Sequence, residues 1–268
     1  MDGSNTRRDR SWALVTGASS GIGLELARQF VEHDFDVVVA AEDDGITQAA
    51  AELRREGADV RAVQADLATA DGVQRLADEI DGLAAPIDAL AINAGVGVSG
   101  PFVETRLEDH LNLVDLNVRG AVHLTRLVLP GMVDRGVGRL LFTSSIAATM
   151  PGPYASTYNA SKSFLLSFAE ALRVEVEDAG VTVTALMPGP TDTNFFSRAD
   201  MEDTKLGQAD KDDPRKVAAD GYEALMSGKD RVVAGSMKNK VQAAAAKVMP
   251  DKVTAAMHGT MSKPGSGQ

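Results

Sequence analysis

Tyr158 and Lys162 stand four residues apart in a segment that reads as the start of a helix, Tyr158-Asn159-Ala160-Ser161-Lys162. On a helix that spacing puts both side chains on one face, with the ammonium beside the phenol. A free tyrosine titrates near ~10 and is a poor acid or base at neutral pH. An adjacent cation stabilises the phenolate and moves the pKa down toward the working range. Upstream, Ser144 and Ser145 follow the apolar run Arg139-Leu140-Leu141-Phe142-Thr143, so both hydroxyls fall at the end of an expected strand.

The elements that must position these groups follow from periodicity. Trp12 to Thr16 reads as a buried strand, and Gly17-Ala18-Ser19-Ser20-Gly21-Ile22-Gly23 turns it into a helix running from Leu24 to Glu32. Glycines permit close backbone approach, and a helix start offers free N–H groups and a positive dipole end, so the unit suits a pyrophosphate. Further strands are expected at Val37 to Ala41, Val60 to Ala65, Ala89 to Ile92, Arg139 to Thr143, Val181 to Leu186 and Arg231 to Ala234. Helices between them are expected at 45–56, 70–83, 104–133 and 154–178. This alternation points to an α/β fold: a doubly wound parallel sheet of Rossmann type, about seven strands, helices on both faces, and a helical C-terminal extension over 238–258. Asn93-Ala94-Gly95 and Pro188-Gly189 then fall at the carboxyl edge of the sheet, where ligands bind in such folds. The segment 191–214 is polar and irregular, with Phe195 and Phe196 as its apolar anchors, which is the profile of a lid.

Length and charge bound the rest. At 268 residues the chain suits one domain over 11–260, with residues 1–10 as a disordered lead-in and 261–268 as a frayed tail. A net charge of -11 disfavours nucleic acid and anionic membranes as partners. There is no cysteine, which excludes thiol nucleophiles, disulfides and thiolate metal sites. His33, His110, His123 and His258 are scattered without ligand spacing, and read as surface or helix residues; no metal site is expected. With no signal peptide and no apolar span, the expectation is a soluble cytoplasmic protein.

In these motifs and their order, from Trp12 to about Phe196, the sequence resembles the short-chain dehydrogenase/reductase family in its compact single-domain branch. The Thr-Gly-x3-Gly-x-Gly loop stands as Thr16, Gly17, Gly21, Ile22 and Gly23, the Asn-Ala-Gly turn as Asn93, Ala94 and Gly95, and the helix asparagine as Asn117. The resemblance implies a catalytic set of Asn117, Ser145, Tyr158 and Lys162, and an NAD(P)-dependent oxidoreductase acting on a CH–OH group. Hydride transfer to a carbonyl builds negative charge on oxygen, so one group must hold that oxygen and another protonate it. Ser145 would hold and Tyr158 protonate. Lys162 would also bind the nicotinamide ribose, and Asn117 would hold a water linking Lys162 to solvent.

The implied cofactor residues are Gly17, Ser19, Ser20, Gly21, Ile22, Gly23, Glu42, Asp66, Leu67, Asn93, Ala94, Gly95, Tyr158, Lys162, Pro188, Gly189, Thr191 and Thr193. Family members that bind NADP carry a basic residue where this chain has Ser20 or Glu42, and those that use NAD carry Asp where it has Ala41. The acidic run Glu42-Asp43-Asp44 would repel a 2′-phosphate, so NAD is favoured over NADP. Around the reacting centre, Val96, Val98, Ser145, Ile146, Ala147, Met150, Tyr154, Met187, Phe195 and Phe196 form a mostly apolar set, which suits a neutral, fairly hydrophobic carbonyl or secondary alcohol. The long helices around Asn117 and Tyr158 form the subunit interface in this family, so a homodimer or homotetramer is expected. The alternative is a catalytically silent nucleotide sensor on the same fold. An eroded catalytic set would favour that, and all four positions are intact.

Overall fold

The computed structural model describes residues 10–236, 239 and 249–267. Seven strands form one all-parallel sheet: β1 (Trp12–Thr16), β2 (Asp36–Ala41), β3 (Val60–Gln64), β4 (Ile87–Ile92), β5 (Gly138–Thr143), β6 (Val181–Pro188) and β7 (Arg231–Ala234). Their order is β3-β2-β1-β4-β5-β6-β7, so the winding reverses between β1 and β4 and opens a crevice at their carboxyl ends.

The strands are short apolar runs buried on both faces, as parallel strands covered by helices must be. Successive residues therefore feed opposite cores. Ala13, Val15, Val37 and Val39 pack with α1 (Gly21–Glu32), α2 (Gly45–Arg55) and α9 (Pro214–Met226). Leu14, Val38 and Ala40 pack with α3 (Ala70–Asp81), α5 (Ala121–Arg135) and α6 (Ser156–Val176). Phe30 on α1 is fully buried and meets Tyr222 of α9 edge-on with ring centroids 5.3 Å apart. Burying such a ring contributes about 1.5–3 kcal/mol.

Four segments depart from the sequence reading, each for a local reason. The helix expected over 104–133 is broken into α4 (Leu107–Val114), a π-helical turn (Asp115–Gly120) and α5. At the centre of that turn, Asn117 uses its side-chain amide on the backbone of a distant loop. The helix expected from Tyr154 begins instead at Ser156, because Tyr154 takes a left-handed backbone at φ 64° and a 3-10 turn (Ile146–Thr149) precedes it. The lid holds two short helices, α7 (Phe195–Arg198) and α8 (Lys205–Gln208), and Thr191 bridges to Asp212 across its base. The last described residues return to that lid: Gly265 N–H donates to Asp203 Oδ2 at 2.8 Å and Gly267 N–H to the Asp203 carbonyl at 2.9 Å.

Of the C-terminal helical extension, α10 (Asp251–Ser262) is described, while 238, 240–248 and residues 1–9 of the lead-in lie outside the described residues. No helix among the described residues is long and apolar enough to cross a membrane.

Candidate active site

The crevice opens into a cavity of about 600 Å³ that runs from the glycine turn after β1 to α10. Its first wall is set by backbone geometry. Gly17 has φ 66°, and a Cβ there would lie 2.8 Å from the Ala94 backbone; a Cβ on Gly23 would lie 2.1 Å from the Gly17 carbonyl oxygen. Only glycine lets the turn fold this tightly against β4 and the start of α1. Ser20 precedes α1 with no side-chain cap, and no acidic residue stands in the first turn. The exposed N–H groups and dipole end face the cavity, an arrangement that fits a pyrophosphate.

Asn93 ties this turn to the catalytic edge. Its N–H and that of Ala94 both donate to Thr16 Oγ1 at 3.0 Å, its Nδ2 donates to the Thr16 carbonyl at 3.1 Å, and its Oδ1 accepts from Thr143 Oγ1 at 3.1 Å. Three strand ends are thereby held in register around one side chain. Beyond β2, Ser19 Oγ donates to Asp43 Oδ2 at 2.8 Å, joining the glycine turn to the acidic run. Glu42 and Asp43 both line the cavity, with Ala65, Asp66 and Leu67 beside them.

At the carboxyl end of β5, Ser145 Oγ accepts from Ala147 N–H at 3.1 Å and donates to the Pro188 carbonyl at 3.4 Å. Lys162 is 5% exposed, and its Nζ donates to the Thr143 carbonyl at 2.8 Å. Ser144 Oγ donates to the Lys162 carbonyl at 2.8 Å, pinning that turn of α6 to β5. The ammonium sits 5.7 Å from the centre of the Tyr158 ring. The phenol presents part of its ring to the cavity, yet protein surrounds the rest.

Electrostatics here reverse the sequence expectation that Lys162 draws the phenol toward neutrality. Burial pushes the Tyr158 pKa up to about 12, and the interaction with Ser145 opposes this only in part. Burial also lowers Lys162 to about 8. Both charged forms lose solvation in the same dense pocket, and the ammonium is spent on the Thr143 carbonyl rather than on the phenol.

Asn117 is 1% exposed and does not line the cavity. Its Oδ1 accepts from Val96 N–H and its Nδ2 donates to the Val96 carbonyl, both at 3.0 Å, with a further bond to Ser161 Oγ at 3.1 Å. It thus clamps the loop after β4. A Cβ on Gly95 would lie 3.1 Å from Asn117 Oδ1 and 3.4 Å from Lys162 Nζ, so this glycine is what lets the two side chains approach the same spot.

The remaining cofactor positions read from sequence, Gly17 through Ile22, Glu42, Asp66, Leu67, Asn93, Ala94, Gly95, Pro188, Gly189, Thr191 and Thr193, contribute cavity wall, apart from Ala18; Gly23 lies behind it. Thr193 reaches back to the turn: a Cβ on Gly21 would meet its Cγ2 at 2.9 Å. On the substrate side Val96, Ile146, Ala147, Met150, Phe195 and Phe196 line the cavity, whereas Val98, Tyr154 and Met187 do not. Tyr154 faces a separate hollow against Lys205 and α10. The lid lies over the centre, with the Phe195 ring 5.2 Å from that of Tyr158.

Sequence reasoning missed the far wall, which comes from Asn159, Met201, Leu206 and the face of α10 carrying Thr254, Met257, His258 and Met261. A signal was present, since those α10 positions recur at i, i+3, i+4 and i+7, one face of a helix.

Known proteins match this chain on both sequence and shape. Residues 11–203 match the family described as short chain dehydrogenase. Oxidoreductase UcpA of Salmonella typhimurium is 33% identical over 214 residues, covering 80% of this chain and 79% of that protein. A short-chain dehydrogenase from Sphingobium yanoikuyae in complex with NADPH superposes with a TM-score of 0.78 at 28% identity, over 83% of this chain and 87% of that one. A short-chain dehydrogenase/reductase from Burkholderia phymatum in complex with NAD does so at 0.77 and 25% identity, over 84% and 89%.

Proposed function

The chain belongs to the short-chain dehydrogenase/reductase family, and from that premise we propose that it moves a hydride between NAD and a neutral, fairly hydrophobic carbonyl or secondary alcohol, with Tyr158 as general acid and base. As a member it is an NAD(P)-dependent oxidoreductase of CH–OH and carbonyl substrates. The observation that carries the reading is the convergence of Ser145, Tyr158 and Lys162 on one cavity that also holds the glycine turn.

The bound dinucleotide supplies or accepts the hydride. Gly17 to Ile22 and the start of α1 would hold its pyrophosphate, Asp66 and Leu67 would flank the adenine, and Lys162 would meet the nicotinamide ribose. For reduction, Ser145 Oγ turns its hydrogen to the substrate oxygen, and the Tyr158 phenol gives that oxygen a proton as negative charge builds. With its pKa near 12 the phenol is protonated throughout the neutral range, as an acid must be. Asn117 keeps Val96 and Gly95 in place beside Lys162, and a water between Asn117 and Lys162 returns the proton from solvent.

NAD is favoured over NADP because Glu42 and Asp43 line the end of the cavity beside β2, whereas the Lys and Arg residues lining it among those described, Lys162 and Arg198, come from α6 and the lid. A 2′-phosphate beside two carboxylates pays Coulomb repulsion with no cation to offset it. Titration of purified protein with NADH and NADPH at equal ionic strength, followed by assay of both against hydrophobic ketones, is expected to show tighter NADH binding and NADH-dependent reduction. Tighter NADPH binding would overturn the choice of cofactor.

The chain also carries an apolar face fit for a second copy of itself. Leu107, Leu111 and Val114 form one stripe along α4, respectively 61%, 53% and 40% exposed, with Phe164 of α6 at 39%. Covering this stripe in a homodimer would bury apolar area at about 25 cal/mol per Å². Light scattering is expected to read at least a dimer for the wild type and a shift toward monomer for Leu111→Asp; an unshifted mass would remove this face from the interface.

A further inference from the structure

The turn that follows Ser145 is fastened to α6 by one buried amide. Asn159 is 2% exposed, and its Nδ2 donates to the carbonyls of Ala147 at 3.1 Å and Met150 at 3.2 Å. An amide nitrogen carries two hydrogens, so these bonds use both. Because two carbonyl oxygens converge on that end of the side chain, it is the end that bears the hydrogens. His258 Nε2, 3.5 Å from the same nitrogen, is the most distant of its neighbours, and the His258 ring is engaged by Ser262 and the Pro153 carbonyl. Asn159 Oδ1 is buried without a partner, a cost that accompanies the two bonds at the other end. Gly152 closes over the amide: a Cβ there would lie 2.2 Å from Asn159 Cγ.

Ala147 links this amide to the chemistry. Its carbonyl accepts from Asn159, and its N–H donates to Ser145 Oγ at 3.1 Å. The second bond occupies a lone pair of the Ser145 hydroxyl, so the hydroxyl hydrogen must point elsewhere. It meets the Pro188 carbonyl at 3.4 Å, a long bond that a substrate oxygen can displace. Asn159 is also the residue after Tyr158, so one turn of α6 carries both the phenol and the tether of the serine. Further along α6, Ser163 Oγ reaches the Ala148 carbonyl at 2.8 Å and the Asn159 carbonyl at 2.9 Å. Ser163 therefore holds the same turn, but at Ala148 rather than at the residue that bonds the Ser145 hydroxyl.

We infer that Asn159 is a positioning residue for the reaction: through Ala147 it sets the direction of the Ser145 hydroxyl, so that its hydrogen is aimed at the substrate oxygen as charge develops there. This rests on the oxidoreductase reading. Asn159 belongs to the cavity wall, yet both its hydrogens are used within the protein and its Oδ1 is buried, so it acts through the turn rather than on the substrate. A donor aimed at developing charge lowers the barrier more than it tightens the ground state. Loss of that aim therefore falls on the turnover number rather than on KM or dinucleotide affinity. An amide that merely capped two carbonyls would change stability and leave the turnover of the folded enzyme alone.

The test sets Asn159→Ala beside Ser163→Ala in the full chain, since each truncation frees a carbonyl of the same turn. Amide hydrogen exchange at Ala147, followed by NMR, is expected to quicken about tenfold in Asn159→Ala and to stay within about threefold of wild type in Ser163→Ala. With NADH and a panel of cyclohexanone, acetophenone and 2-decalone, Asn159→Ala should lower the turnover number by about 10–100-fold, while KM and the NADH dissociation constant stay within about threefold. Ser163→Ala should leave all three near wild type. Gly152→Ala, which displaces the same amide with Asn159 in place, should reproduce the pattern of Asn159→Ala; a cooperative thermal transition verifies that each variant is folded. Unchanged Ala147 exchange in both Asn159→Ala and Gly152→Ala, an equal effect of Ser163→Ala, or a loss confined to KM overturns the inference. If the wild type reduces none of the ketones, the catalytic reading falls, and Ala147 exchange alone decides whether Asn159 directs Ser145.

Discussion

Tyr158→Phe is expected to lower the turnover number by about 10²–10⁴-fold, the range supplied by a positioned general acid. The substitution removes one oxygen and keeps the ring, so the contact with Phe195 at 5.2 Å survives. Loss of the phenol costs at most about 1 kcal/mol of folding stability, since its hydroxyl engages only Ser145. Dinucleotide binding should stay within a few-fold of wild type, because the glycine turn, Asn93 and the Pro188-Gly189 edge are untouched. Stopped-flow reduction with NADH, beside fluorescence titration of NADH, separates the two quantities. Full activity in this variant would remove Tyr158 from the chemistry.

Lys162→Met should affect both stability and catalysis. The folded pKa of about 8 lies below the unfolded value of 10.5, so between those two the unfolded chain holds more protons than the folded one. Stability of the wild type therefore rises with pH across that window, and the gain is lost as pH falls through about 8. A shift of this size corresponds to about 3 kcal/mol. Burial raises Tyr158 instead, which lowers stability only above its unfolded value near 10. Urea unfolding at pH 7.5 and 9.5 should thus show the wild type gaining stability and Lys162→Met lacking most of that gain. The variant also loses the amine proposed to meet the nicotinamide ribose and its bond to the Thr143 carbonyl, so alcohol oxidation should slow by at least ~10²-fold through misplacement of the cofactor. An unchanged stability slope would show that the buried amine does not titrate in this window.

The strands were legible because each is a short apolar run ended by glycine, proline or a polar turn, as Val181 to Leu186 is before Pro188-Gly189. Asn93, Ser145, Tyr158 and Lys162 were legible as candidates because their spacing is local. What escaped depends on contacts between distant parts of the chain. Nothing between Glu104 and Val133 announces the π-helical turn; it is held by the Asn117 amide against Val96, which lies 21 residues away in sequence. The sign of the shift at Tyr158 was misread for the same reason. Spacing put an amine beside a phenol but could not tell that both would be buried and that the amine would bond the Thr143 carbonyl. The α10 stripe was readable as a helix face, yet which surface it would cover was not.

The π-helical turn at Asp115–Gly120 also carries a consequence for phase. An i→i+5 turn takes up one residue more than an α-turn, and each residue advances a helix by about 100°. The chain can therefore point Leu113 of α4 inward, leave Leu107 and Leu111 facing out, and then re-aim α5 so that Leu124 and Met132 reach the sheet. Shortening the turn by one residue would act as a rotation, turning the whole of α5 away from the core while every amino acid in it stayed the same.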